Sequence, residues 1–105
     1  MEGDAQTIKV SVRSQKTVTV KISINMKECV LLGISIEGDF FAENPEPIDE
    51  LIGMRAVLSR EGVNSLLTRI NSSLVEAGTV GLDIAKIIKV LRKNLEEVLE
   101  LCAKK

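Results

Sequence analysis

The residues with most chemical potential in this chain gather in one short acidic stretch. "IEGDFFAENPEP", residues 36–47, places Phe40 beside Phe41, and these are the only aromatics among 105 residues. Glu37, Asp39, Glu43 and Glu46 accompany them, Asp49 and Glu50 follow, and no basic residue interrupts the run. Three roles suit such a segment. Its carboxylates can ligate a hard cation, although their spacing departs from the twelve-residue calcium loop. They can serve only to keep a loop hydrated. Or the segment can dock or gate: neighbouring side chains on an extended backbone point opposite ways, so one ring can seal a core while the other faces outward. Exposed aromatics are enriched among the residues that dominate binding.

Elsewhere the chemistry is thin. The chain has no histidine, the commonest acid–base group near neutral pH and the commonest metal ligand. It has no phosphate-cradling GxxxxGK[ST] motif, no GxGxxG after a strand and no CxxC pair. Ser35 and Ser73 have no candidate base beside them in sequence. The expectation is therefore no catalytic, cofactor-binding or metal-ligating residue. A net charge of −1 gives no reason to expect nucleic acid or an anionic membrane as partner, and the scarcity of aromatics argues against base stacking.

Cys29 and Cys102 lie far apart. A secreted domain of this size more often carries several cysteines in a tight framework, so both are expected as reduced, small apolar packing residues in a cytoplasmic protein. "MEGDAQTIKV" lacks the basic and then apolar pattern of a secretory signal, and no apolar run approaches the roughly 20 residues that span a bilayer.

The elements that must position the acidic stretch follow from periodicity. A chain with 45% hydrophobic and 28% charged residues reads as globular. "TIKVSV" alternates through Ile8, Val10 and Val12, and "TVTVKISI" through Val18, Val20, Ile22 and Ile24. "VLLGISIEG" places Val30, Leu32, Ile34 and Ile36 on one face. Three β-branched runs of period two with short connections predict an antiparallel meander with one wet face. Pro45 and Pro47 break any continuous helix there, and "PIDELIG" predicts a short one with Ile48, Leu51 and Ile52 on its apolar side, ended by Gly53.

Val63, Leu66, Leu67, Ile70 and Leu74 mark a longer helix with Ser59 as N-cap and Gly78 as stop. Ile84, Ile87, Ile88, Leu91, Leu95, Val98, Leu99 and Cys102 mark another, over about 83–103. In that helix Lys86, Lys89, Arg92 and Lys93 precede Glu96, Glu97 and Glu100, against the preference of the helix dipole. That face is either simply solvated or a basic contact patch for an acidic partner. The predicted fold is α+β: a three-stranded antiparallel meander, a short helix, then two longer helices packed on one sheet face. Residues 7–105 form a single domain in this reading, and residues 1–6 fray.

"ISIEGDFF" at a strand end, an acidic Pro-containing stretch, "IDELIGMRA" and then "GLDIAKIIKVL" resemble the C-terminal accessory domain of lipoate–protein ligases, over most of the chain after residue 7. In some prokaryotes that domain is a separate small subunit, and a 105-residue chain without an active site is similar to that form. The strands here lack the family's basic, Gly-rich opening, and "RSQKTVTV" replaces its Gly-containing first turn. The domain is grouped by fold with sulfur-acceptor and iron–sulfur scaffold proteins of the SufE/NifU type, whose cysteine motif this sequence does not reproduce.

The resemblance implies a heterodimer. The catalytic large subunit binds ATP and lipoate, forms lipoyl-adenylate and transfers the lipoyl group to a lysine of a lipoyl-acceptor protein. The small subunit, binding no cofactor itself, supports the adenylation step as a lid that shields a reactive acyl-adenylate from water. Gly38, Asp39, Phe40 and Phe41 are then the expected partner-docking residues. A sulfur-acceptor or scaffold role is the alternative, and it requires an exposed, activated thiolate. A third option is a homo-oligomeric interaction domain with no ligase connection.

Overall fold

The computed structural model describes residues 5–13, 17–38 and 40–103. β1 (Ala5–Arg13), β2 (Thr17–Asn25) and β3 (Val30–Gly38) form the antiparallel meander that the alternating runs predict. β1 begins at Ala5, earlier than the frayed stretch 1–6 anticipates. β2 extends to Asn25 and so supplies register partners for Ala5 and Gln6.

β3 departs from simple alternation. Leu31, not Leu32, is fully buried, and Val30 and Leu32 are half-buried. Gly33 faces Ser23 while Leu31 faces Ile24, so Leu32 is the extra residue of a β-bulge. One inserted residue shifts the parity of everything before it, which brings Leu31 opposite the buried Ile24. Gly33 is buried beside the bulge, where a Cβ would overlap the Ile52 carbonyl oxygen. Glycine there lets the segment after β3 lie directly against the strand.

That segment begins with β4 (Phe41–Ala42) and continues through α1 (Glu46–Asp49), with Pro47 in its first turn, into a 3-10 turn at Glu50–Gly53. The single short helix expected from "PIDELIG" is thus two pieces. Ile48 and Leu51 are buried as expected, but Ile52 is 59% exposed, because the tighter turn rotates it off the apolar side. β5 (Ala56–Val57) then pairs with Val30 and Leu31, giving the sheet order β1-β2-β3-β5.

α2 (Arg60–Glu76) starts where predicted: the Ser59 hydroxyl accepts from the Gly62 amide at 3.0 Å. Gly78, with φ of +63°, carries the chain out of it. β6 (Thr79–Val80) follows, then α3 (Ile84–Ala103), whose first turn donates the Lys86 amide to the Asp83 carboxylate at 3.1 Å. α3 lies along β1 and α2 reaches β5, so the two helices cover opposite sides of the same sheet face. Val20, Ile22, Ile24 and Leu31 meet Leu66, Ile70, Leu91 and Leu95 in the core, all at 0% exposure.

The basic run of α3 is partly spent within the chain. Arg92 donates to the Asn64 side-chain oxygen at 2.8 Å, and the Lys86 ammonium donates to the Arg13 carbonyl. Lys89 and Lys93 remain exposed. The cysteines pack against the core as expected, but they are not reduced. Cys29, in the turn after β2, and Cys102, in the last turn of α3, form a disulfide across 73 residues with their Cα atoms 6.0 Å apart. Sheet and helix happen to end at the same place, which linear spacing does not encode. No helix among the described residues is long and apolar enough to cross a membrane.

Candidate functional site

The acidic stretch leaves the sheet through Gly38, whose φ is +155°. A Cβ at this position would sit 2.8 Å from the Thr17 carbonyl oxygen, so glycine allows β3 to end tight against β2. Asp39 lies outside the described residues. The two phenylalanines then part company, as an extended backbone requires. Phe40 is half-buried and packs against the core, while Phe41 is 62% exposed.

The outward ring does not sit on a loose loop. β4 pairs antiparallel with β6, setting Phe41 opposite Val80 and Ala42 opposite Thr79. The ladder continues as the Glu43 amide donates to the Gly78 carbonyl at 3.4 Å and the Asn44 amide to the Ala77 carbonyl at 3.0 Å. Thr79 is tied back by its hydroxyl to the Leu74 carbonyl at 3.2 Å. The corner that carries Phe41 is therefore fastened to the connection between α2 and α3. Directly opposed residues share a face, so Phe41 and the 61%-exposed Val80 form one small apolar surface. Val80 escapes sequence reasoning; its signal is a β-branched residue between the glycines of "GTVG".

The carboxylates, by contrast, scatter. Glu37 pairs with Lys21 at 3.1 Å on the outer sheet face, and Glu50 reaches Arg69 of α2 at 3.6 Å. The Glu43 side chain lies over Gly78. Glu46 and Asp49 are exposed on α1. Among the described residues no three His, Cys, Asp or Glu side chains gather into a set able to hold a metal ion. The stretch that looks dense in sequence is dispersed by the turns within it.

A second feature lies elsewhere. An open groove of about 770 Å³ runs between the first half of α2 and the second half of α3. Leu58 and Val63 supply apolar wall, Arg60, Arg92, Glu96 and Glu100 supply charge of both signs, and Cys29 and Cys102 complete it. Gly38, Phe40 and Phe41 do not line it. Comparison with protein-family models, with curated proteins and with solved structures finds no match for this chain.

Proposed function

We propose that this chain is a non-catalytic accessory subunit that docks on the catalytic large subunit of a lipoate–protein ligase. In that role it supports ATP-dependent activation of lipoate to lipoyl-adenylate. The observation that carries the reading is the division of labour between adjacent rings: Phe40 turned into the core, Phe41 held outward on a hydrogen-bonded ribbon. A contact residue fixed in place before binding loses little conformational freedom when a partner covers it, so more of the contact energy appears as affinity. Glu43, exposed and two residues beyond Phe41 on the same ribbon, favours a cationic group on the facing part of the partner.

In this reading ATP and lipoate stay on the large subunit, lipoyl-acceptor proteins are met only through it, and the complex works in the cytoplasm without membrane or nucleic acid. Shielding of an acyl-adenylate needs a folded surface and no reactive group of its own, which suits a chain without histidine. The alternative of a sulfur-acceptor or iron–sulfur scaffold needs a thiolate free to react. Cys29 and Cys102 are joined to each other in this structure, so that role would first require the bond to be opened.

The test is to mix the chain with candidate large subunits and follow lipoate-dependent AMP release. Stimulation that disappears with Phe41→Ala, in a protein that stays folded, supports the proposal. No stimulation of any lipoate-activating enzyme, together with a stable homodimer, would favour a self-association module instead.

A further inference from the structure

Cys29 and Cys102 are both half-buried, and both line the groove between α2 and α3. A disulfide in the wall of an open groove can be reached by a thiol, and accessible disulfides are the more labile ones. Arg60, Arg92, Glu96 and Glu100 line the same groove, so its wall is polar and open to a water-borne thiol. Cys29 also has a φ of +55°, the one non-glycine residue among those described with a positive φ. Such backbone persists only where its surroundings hold it, and it concentrates at functional positions.

The core holds α3 as far as Val98 without this bond. Leu91, Leu95 and Val98 are buried and anchor α3 ahead of its last turn. Past Val98 the helix is held by Leu99 and Cys102, each only partly buried, and Leu101 is 54% exposed.

We infer that the Cys29–Cys102 bond is a reversible thiol–disulfide clamp on the last turn of α3, opened by a dithiol that enters the groove. One thiolate of the dithiol attacks a sulfur of the pair, forms a mixed disulfide and expels the other cysteine as a thiolate, which takes up a proton. The second thiol of the dithiol displaces the remaining cysteine and leaves as a cyclic disulfide. Two electrons and two protons pass to the chain. The sheet and the body of both helices stay in place, the last turn of α3 loosens, and the groove widens. None of this depends on the ligase reading.

The experiment uses the full chain purified without reductant, treated with dithiothreitol under native conditions and quenched with iodoacetamide. Mass spectrometry is expected to find no alkylated cysteine before reduction and two after it. Hydrogen exchange at residues 99–102 is expected to rise about tenfold or more, while residues 18–24 and 87–95 keep their protection. Reoxidation restores the slow exchange. The double variant Cys29→Ser/Cys102→Ser shows the fast exchange from the start and ignores dithiothreitol. Free thiols before reduction, a bond that yields only in denaturant, unchanged exchange at 99–102 on reduction, or loss of protection throughout β2 would each overturn the inference.

Discussion

Phe41 and Val80 are direct partners across the β4–β6 ribbon, and each keeps more than half of its surface in solvent. The ribbon ties the exit of the sheet to the connection between the long helices, so this apolar pair sits on backbone fixed from both sides. That is the geometry of a small preformed contact, with Phe40 as its inward anchor.

Replacing Phe41 or Val80 by alanine is expected to leave urea stability within roughly 0.5 kcal/mol, as for other exposed positions. Affinity for a cognate large subunit should fall about tenfold or more for Phe41→Ala, in the range of a binding hot spot. Phe40→Ala is expected to do the opposite, costing about 1–3 kcal/mol of stability for a partly buried ring. Chemical denaturation and titration calorimetry on the three variants separate these outcomes. Equal affinity for wild type and Phe41→Ala would remove the docking role.

The bulge in β3 makes a pair of neighbours behave differently. Leu31→Ala empties a fully buried site and should cost about 2–5 kcal/mol. Leu32→Ala, on the half-exposed side, should cost roughly 1 kcal/mol or less. Plain alternation along the strand predicts the reverse ranking, so urea midpoints of the two variants decide the register.

At the start of α2, Ser59→Ala removes the acceptor of the Gly62 amide. The expected loss is about 1 kcal/mol, read from thermal or urea unfolding, with Ser59→Asp recovering most of it. A loss near zero would mean that water satisfies that amide equally well.

Removal of the disulfide should lower stability by an amount that grows with the logarithm of the chain length it closes. A separation of 73 residues gives an upper figure of about 4 kcal/mol from loop entropy. Cys102→Ser is thus expected to lower the urea midpoint clearly under oxidising conditions, yet to match the wild type once both are reduced. A difference that survives reduction would place the effect in the packing of the Cys102 side chain rather than in the bond.

Much of the architecture is legible in the chain because it rests on local rules. Val18, Val20, Ile22 and Ile24 alternate, and Leu66, Ile70 and Leu74 return every turn. Ser59 marks the start of α2 through its hydroxyl and Gly78 its end through its backbone freedom. The opposite facing of Phe40 and Phe41 also follows from the pleat of an extended backbone alone. What tertiary structure decided are the matters that hang on distant partners. Leu31 turns inward because β2 presents Ile24 to it; Val80 becomes a surface residue beside Phe41 because β6 finds β4; Ile52 is rotated out by a turn packed on Gly33. Cys29 and Cys102 meet only because the end of a hairpin and the end of a helix coincide in space, and no periodicity or spacing along a chain carries that information.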